Sequence, residues 1–298
     1  MEDKALRLLF AINPISGGKA KNDWEQMIRD YFKDQPHEIE FYALNGKTDE
    51  NSLKASIEKM NAQRVVAVGG DGTISMVAKV IAGTDKVLGI LPAGSANGMA
   101  KELNIPLDAL EAIELLVKGE VKSADLININ GDRPCLHLSD IGLNAQLVKH
   151  FEEGKLRGKW GYARVLLKVL WNKTPMKVRV VTKDEEVTRN AFMVVLANAR
   201  KYGTGAVINP EGNLYDGFFE VVIIRRLALS EILKSLFRPR PFNPKKFEVI
   251  KATTVSIKTR HRVHFQVDGE YLGKVNSVNA EILPGNLKIV VPFEISSS

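Results

Sequence analysis

The sequence predicts an α/β domain with a parallel sheet, followed by a second domain built mostly of β-strands. Over the first 125 residues, apolar runs alternate with amphipathic helical segments, which is typical of a parallel sheet covered on both faces. From Leu126 onward most segments are strand-like, and several alternate apolar and polar residues as half-buried antiparallel strands do. The length of 298 residues, 45% of them hydrophobic, allows two domains, each with its own core.

The elements of the first half follow from apolar periodicity. Four short apolar runs predict strands at Leu6–Ile12, His37–Leu44, Arg64–Val68 and Val87–Leu91. Helical spacing predicts helices carrying Trp24 to Phe32, Leu53 to Met60, Ile74 to Ile81, a segment ending near Leu103, and Leu110 to Val117. Asn51 or Ser52 is expected to cap the second of these helices, because short polar side chains accept hydrogen bonds from first-turn N–H groups.

The second half is predicted to be mainly β-structure. Its expected strands are Met176–Thr182, Ala191–Ala197, Phe218–Ile224, Phe247–Thr259, His264–Val267 and Val278–Leu283. Two helical stretches interrupt them, one with Tyr162 to Leu170 on its apolar face and one with Leu229 to Leu236.

Composition excludes several classes of protein. No apolar run reaches the roughly 20 residues of a membrane-spanning helix, and the acidic start predicts no secretory signal. Cys135 is the only cysteine, which excludes an internal disulfide framework and a cysteine-based zinc site. We therefore expect a soluble protein of a reducing compartment.

Charge is distributed unevenly along the chain. Residues 1–130 carry a net charge of −4 and residues 131–298 a net charge of +11. A strongly basic face usually meets nucleic acid or an anionic membrane surface. The basic segments lack interleaved aromatic residues or a recognisable reading helix, which argues against nucleic acid.

Three glycine-containing loops each follow a predicted strand and precede a predicted helix. They are Asn13–Gly18, Gly69–Thr73 and Pro92–Gly98. In an open parallel sheet such loops lie at the carboxyl ends of the strands, where ligands bind. Glycine lets successive amides converge on an anion, and the following helix adds free N–H groups and its positive dipole end.

These loops predict a polyphosphate ligand, with tight turns of purely geometric origin as the alternative. Neither the P-loop pattern nor the dinucleotide fingerprint occurs in them. A nucleotide would therefore be held in some other way.

The loop Gly69-Gly70-Asp71-Gly72-Thr73 is similar to the GGDGT signature of the diacylglycerol kinase catalytic-domain superfamily, which includes sphingosine and ceramide kinases and, more distantly, NAD kinases. Further segments resemble the superfamily in the same order along nearly the whole chain. These are Asn13-Pro14-x-Ser16-Gly17, Leu88 to Asn97, Asn198 with Tyr202-Gly203 and Asp216-Gly217, and Val267-Asp268-Gly269-Glu270.

The resemblance implies a fold and a set of site residues. The fold is an N-terminal nucleotide-binding α/β domain of residues 1–124, rejoined by residues 288–298, and an antiparallel β-sandwich domain of residues 125–287. Asp268 and Glu270 would be the catalytic acids, one of them accepting the proton of the attacking hydroxyl. A Mg²⁺ ion would be held by the Asp216 carboxylate and by backbone oxygens of Asn213 and Phe218, an oxygen-only set that suits a hard cation. The expected ATP-binding residues are Asn13, Pro14, Ile15, Ser16, Gly17, Leu44, Gly69, Gly70, Asp71, Gly72, Thr73, Ile74, Ser75, Gly94, Ser95 and Asn97.

The implied activity is that of an ATP-dependent lipid kinase acting on the hydroxyl of a diacylglycerol-like or sphingoid lipid. We expect Mg²⁺ as cofactor, a cytoplasmic protein associated peripherally with an anionic membrane, no nucleic-acid partner, and an oligomeric state that leaves a homodimer open. An NAD kinase-type enzyme and a non-catalytic nucleotide- or lipid-binding regulator are the alternatives. The regulator is supported by three departures from the superfamily pattern, at Leu44, Met76 and Gly98.

Overall fold

The computed structural model describes residues 5–14, 21–45, 49–143, 145–146, 175–200, 209–225 and 247–293. The chain divides into two compact units. The first unit is Met1–Ala124 together with Gly285–Ser298, and the second unit is Asp125–Pro284. No helix of the described ranges is long and apolar enough to cross a membrane.

The first unit alternates strands and helices, as the apolar periodicity predicts. Its elements are β1 (Arg7–Ile12), α1 (Lys21–Phe32), β2 (Glu38–Ala43), α2 (Asp49–Met60), β3 (Arg64–Gly69), α3 (Asp71–Ile81), β4 (Val87–Pro92), α4 (Gly98–Glu102) and α5 (Ala109–Lys118). β5 (Glu120–Ile129) leads from this unit into the second.

The sheet of the first unit is parallel. β1 pairs with β2 and with β3, and β3 pairs with β4. The last strand of the chain, β14 (Glu270–Val291), adds its final residues to β4, with Lys288 opposite Val87. Fully buried side chains such as Phe10, Ile28 and Val66 form the core between the sheet and its helices, each stabilising the fold by about 1.5–3 kcal/mol.

The second unit consists mainly of antiparallel strands. After β5 come β6 (Arg133–Cys135), β7 (Leu138–Gly142), β8 (Met176–Thr182), β9 (Glu186–Ala191), β10 (Met193–Ala197), β11 (Phe219–Ile224), β12 (Phe247–Ala252), β13 (Thr254–Val267) and β14. The strand order is β12-β11-β10-β7-β13-β14, and β8 joins β13 to β9. This arrangement confirms the predicted fold class of an α/β domain followed by a β domain.

Several predicted boundaries were wrong. α2 begins at Asp49, whose carboxylate accepts the N–H of Asn45 at 2.9 Å, so Asn51 and Ser52 lie inside the helix and do not cap it. The expected strand Ala191–Ala197 is the end of β9 and the whole of β10. The two strands are separated by one residue, Phe192, whose N–H donates to the Ile224 carbonyl.

The remaining differences concern the ends of long strands and parts of the chain outside the described residues. β13 contains both the end of the expected strand Phe247–Thr259 and the expected strand His264–Val267, and β14 extends well beyond Val278–Leu283. Register shifts within the β13–β14 ladder explain why the alternation of polar and apolar residues is interrupted there. The predicted helices at 162–170 and 229–236 lie outside the described residues.

Candidate active site

The carboxyl ends of three parallel strands meet at one edge of the first unit's sheet. β1, β3 and β4 end at Ile12, Gly69 and Pro92. The N–H of Asn13 donates to the Val68 carbonyl at 3.1 Å, and the N–H of Ala93 donates to the Gly69 carbonyl at 3.0 Å. The first and third loops are therefore bonded to the end of β3, at the edge where open parallel sheets bind ligands.

The second and third loops touch through their backbones. A Cβ on Gly94 would lie 2.4 Å from the Cα of Gly70 and 2.8 Å from the Oδ1 of Asn97. Asn97 has a left-handed φ of 50°, and its Oδ1 accepts the N–H of Gly94 at 2.9 Å while its Nδ2 donates to the Pro92 carbonyl at 3.2 Å. Only glycine at position 94 permits this approach.

The first and second loops meet through side chains. The Nδ2 of Asn13 donates to the Oγ1 of Thr73 at 3.2 Å, and Thr73 is buried. A Cβ on Gly69 would lie 2.3 Å from the same Oγ1. Asn13, Gly69 and Thr73 thus fix the spacing between two of the loops.

Helix α3 begins immediately after this contact. Its N-cap residue is Gly70, which has no side chain to accept from the first turn. Backbone geometry therefore leaves the N–H groups of Asp71 and Gly72 without intrahelical acceptors, at the positive end of the helix dipole. No described residue places a heavy atom within 4 Å of where a Cβ on Gly72 would stand, its chain neighbours and its own helix aside. The fold itself does not require glycine at this position.

Asp71 braces the third loop. Its two carboxylate oxygens accept the N–H groups of Gly98 at 3.0 Å and Met99 at 2.8 Å, at the start of α4. The carboxylate of the GGDGT segment is therefore occupied by backbone amides. At Gly98, which departs from the superfamily pattern, the structure uses the main-chain N–H as a donor to Asp71.

The remaining expected ATP-binding residues differ in accessibility. Leu44 and Ile74 are buried, so only their backbones can face a ligand. Pro14 and Ser75 are half-buried and Ser95 is exposed. Ile15, Ser16 and Gly17 lie outside the described residues.

The segment Val267–Glu270 is a tight hairpin turn between β13 and β14, with Val267 opposite Glu270. Both central residues have positive φ, 47° at Asp268 and 87° at Gly269, as a type I′ turn requires. The turn is anchored by two hydrogen bonds, from the N–H of Asp268 to the Leu138 carbonyl at 2.9 Å and from the N–H of Gly269 to the Oε1 of Gln266 at 2.7 Å.

The two acids of this turn have different environments. The Asp268 carboxylate accepts the N–H groups of Leu136 at 2.9 Å, His137 at 2.9 Å and Leu138 at 3.1 Å. The thiol of Cys135 also donates to it, at 3.3 Å. Burial raises the pKa of the Cys135 thiol well above its usual value, and the Asp268 carboxylate raises it further, so the sulfur remains a neutral donor.

Glu270, in contrast, is exposed. Within the described part of the chain its carboxylate has no hydrogen-bond or ion-pair partner. Of the two predicted catalytic acids, Glu270 has lone pairs available for a proton from a ligand, and Asp268 is engaged by the fold.

Two buried residues that sequence reasoning missed support the turn. Asp140 on β7 and Gln266 on β13 are opposite each other in the sheet, and each is 1% exposed. The Nε2 of Gln266 donates to Asp140, whose other oxygen accepts the N–H of Ala145 at 2.9 Å. Because the Oε1 of Gln266 accepts from Gly269, the buried pair extends to the turn. In the sequence, the feature that could have revealed this pair is the aspartate within the otherwise mostly apolar strand Leu138–Gly142.

The predicted metal loop, Asn213–Phe218, is held mainly by Asp125. The N–H of Asp125 donates to the Leu214 carbonyl at 2.7 Å, and its Oδ2 accepts the N–H of Gly217 at 2.7 Å. Asn198, which is fully buried, donates in turn to the carbonyls of Asp125 and Leu136 at 2.8 Å each. The neighbouring Tyr202-Gly203 lies outside the described residues.

The donor atoms of this loop are oxygens, which suit a hard cation, but the anchoring carboxylate is already engaged. The Oδ1 of Asp216 accepts the N–H of Phe218 at 3.1 Å, and its Oδ2 lies 2.7 Å from the Nζ of Lys251. This hydrogen bond raises the pKa of Lys251. The Oδ1 of Asn213 accepts the N–H of Tyr215 at 3.1 Å.

Nearby, burial raises the pKa of Glu220, which also accepts a hydrogen bond from Asn209. Across the described ranges, no group of three or more histidine, cysteine or acidic side chains is arranged to hold a metal. The residues present therefore fit a divalent ion poorly while Lys251 remains on Asp216.

Comparison with known families agrees with this arrangement of two units. The family model of the diacylglycerol kinase catalytic domain matches residues 7–129, and that of the YegS C-terminal NAD kinase beta sandwich-like domain matches residues 139–291. Since the second of these models matches more than half of the chain, the chain belongs to the family of the YegS C-terminal domain. The match of the first unit to the diacylglycerol kinase catalytic domain makes this a kinase-like family.

The individual relatives share less than a third of their residues with this chain. A protein of Yersinia pestis named "Probable lipid kinase YegS-like" is 29% identical over 237 residues, which are 76% of this chain and 78% of that protein. One of the same name from Chromohalobacter salexigens is 27% identical over 77% of this chain and 76% of its own length. A crystal structure of a diacylglycerol kinase from Bacillus anthracis covers 97% of each chain with a TM-score of 0.77 at 18% identity, which shows the same fold.

Proposed function

We propose that this protein is an ATP-dependent lipid kinase that transfers the γ-phosphate of ATP to the hydroxyl of a diacylglycerol-like or sphingoid lipid. The observation that carries the proposal is the open edge of the first unit. Glycine is required at position 94 because two loops approach each other closely there. At position 72 the space beside the backbone is not occupied by any described residue. A glycine of the second kind suits a ligand that approaches the backbone closely, as a polyphosphate does at a helix N-terminus.

The nucleotide would be bound chiefly by main-chain groups. The N–H groups of Asp71 and Gly72 are aligned with the dipole of α3, and Ser75 and Ser95 supply hydroxyls at partly or fully exposed positions. Such preorganised donors neutralise phosphate charge, which is the largest task in phosphoryl transfer. ATP would enter as its magnesium complex, and no step here depends on a metal at Asp216.

Glu270 is the proposed base. The lipid hydroxyl oxygen forms a bond to the γ-phosphorus, its proton passes to the Glu270 carboxylate, and the bond from the γ-phosphorus to the bridging oxygen breaks to release ADP. Asp268 is assigned a positioning role, because its carboxylate is engaged by three amides and a thiol. It fixes the turn that presents Glu270.

The second unit presents basic residues suited to an anionic membrane. Lys258, Arg260 and Arg262 are exposed on β13, and Lys274 is exposed on the facing part of β14. β13 contains no acidic residue. Each basic residue near an anionic surface contributes about 1 kcal/mol of attraction, which supports peripheral binding to the membrane that holds a lipid substrate. The further basic residues Arg238, Arg240, Lys245 and Lys246 lie outside the described residues.

The test is phosphorylation of a total lipid extract with ATP labelled at the γ-phosphate, run beside the same reaction with NAD. We expect label in a lipid and none in NAD. Glu270→Gln should lower the rate by at least about 100-fold, the lower range for loss of a general base. Glu281→Gln, the same change at an exposed position of the same strand, is the matched control and should retain the rate.

Labelled NAD with no labelled lipid would favour the NAD kinase-type alternative, and no labelled product in either reaction would favour the regulator. Unchanged turnover in Glu270→Gln would refute the assignment of the base.

A further inference from the structure

The cation position at Asp216 is already taken by a side chain of this protein. The Nζ of Lys251 lies 2.7 Å from the Oδ2 of Asp216, and the Oδ1 accepts the N–H of Phe218. Both oxygens of the carboxylate expected to anchor a Mg²⁺ ion are therefore paired within the chain.

The sheet directs Lys251 to this place. In the β11–β12 ladder, Lys251 is opposite Glu220, and it is exposed between the buried residues Ile250 and Ala252. The carboxylates of Asp216, Glu220 and Glu211 all interact electrostatically with its ammonium group. The positive charge of Lys251 is thus stabilised by several negative charges of the described residues.

An aromatic ring adds a contact that an ammonium group favours and a small divalent ion does not. The Nζ of Lys251 lies 4.5 Å from the centroid of the Phe218 ring, a cation–π distance. Mg²⁺ demands a near-octahedral set of oxygen ligands and gives up its waters reluctantly. The phenyl face supplies no such oxygen.

We propose that the ammonium group of Lys251 takes the place of the divalent ion that the family resemblance implies at the Asn213–Phe218 loop. The loop is then closed by an internal ion pair and by its hydrogen bonds to Asp125. In this protein a divalent ion can bind Asp216 only after displacing Lys251. The inference concerns the loop alone and stands apart from the proposed lipid kinase activity.

The experiment measures metal binding to the ATP-free protein. Mn²⁺ is titrated into wild type and Lys251→Met and followed by electron paramagnetic resonance, with thermal unfolding recorded in millimolar Mg²⁺ and in EDTA. We expect no saturable site and no change of Tm in wild type. In Lys251→Met we expect a saturable site whose affinity for Mn²⁺ is at least about tenfold higher than any binding seen in wild type. The Tm of this variant should rise in Mg²⁺.

Two variants sharpen the result. Lys177→Met removes an exposed lysine of β8 in the same unit and should behave as wild type. Adding Asp216→Asn to Lys251→Met should abolish the new site. A saturable Mn²⁺ site in wild type that Asp216→Asn removes, or a Lys251→Met protein that still binds no metal, would overturn the proposal. Because phosphoryl transfer is not measured, neither result bears on the lipid kinase assignment.

Discussion

The glycine loops of the first unit and the hairpin turn of the second unit are held by different kinds of contact. In the first unit, backbone meets backbone at Gly70 and Gly94, and amides at the start of α3 are left for a ligand. In the second unit, amides are used up by the protein itself, because the Asp268 carboxylate accepts three of them and the buried Gln266 accepts a fourth. The first unit leaves backbone N–H donors available to a ligand, and the second unit uses its N–H donors to hold the Asp268 carboxylate in place.

This difference separates residues that the fold needs from residues that a ligand needs. Gly94 and Asp268 are fixed by the protein's own contacts, so their loss should be visible in stability without any ligand. Gly72 and Glu270 have no such contacts in the described part of the chain. Their loss should weaken binding or turnover without lowering the stability of the protein.

The largest expected effect on stability is that of Asp268→Ala. It leaves three amides and a thiol without their acceptor, and a non-glycine residue other than Asn or Asp is poorly suited to a φ of 47°. With about 1–3 kcal/mol for each buried donor left unsatisfied, we expect the free energy of unfolding to fall by at least about 3 kcal/mol. Urea denaturation of the ATP-free protein measures it.

Glu270→Ala is the matched control, since it alters an exposed acid in the same turn. It should change the free energy of unfolding by no more than about 0.5 kcal/mol. Equal losses for the two variants would contradict the distinction between an engaged acid and a free one.

A smaller loss is expected from Gly94→Ala. The added methyl group would lie 2.4 Å from the Cα of Gly70, which belongs to backbone and cannot move aside as a flexible side chain can. Overpacking of this kind destabilises by about 1–3 kcal/mol, and separation of the loops should weaken ATP binding as well. Urea denaturation and calorimetric titration of ATP give the two values, and a Gly94→Ala protein with wild-type stability would show that the loops do not touch in solution.

Much of the first unit could be predicted from sequence because its signals are local. β1, β3 and β4 are continuous apolar runs, and each glycine loop immediately follows its strand. The break at Phe192 and the register shifts of β13 could not be predicted, since they depend on bonds to distant strands such as that of Phe192 to Ile224.

The same limit applies to the site. The motif placed Asp268 and Glu270 together, but the donors that engage Asp268 come from residues 136–138, and the partner of Gln266 is Asp140. Likewise, the acidic loop at Asp216 could be found in the sequence, whereas its cation on β12 becomes evident only once the strands are paired.

Gly72→Ala, in contrast to Gly94→Ala, should raise the stability of the protein slightly. Position 72 lies in the first turn of α3 with open space around it, and alanine favours a helix over glycine by about 0.5–1 kcal/mol. The added methyl group would stand where a phosphate is proposed to approach. Urea denaturation should therefore show a slightly more stable protein that binds ATP more weakly.

Calorimetric titration of ATP into wild type, Gly72→Ala and Ala55→Gly tests the proposed phosphate site most directly. Ala55→Gly makes a change of similar size in helix propensity at an exposed position of α2, and should bind ATP as wild type does. We predict saturable ATP binding by wild type and a loss of at least about tenfold in Gly72→Ala. Equal affinity in wild type and Gly72→Ala, or no ATP binding by wild type, would contradict the assignment of these loops to the phosphates.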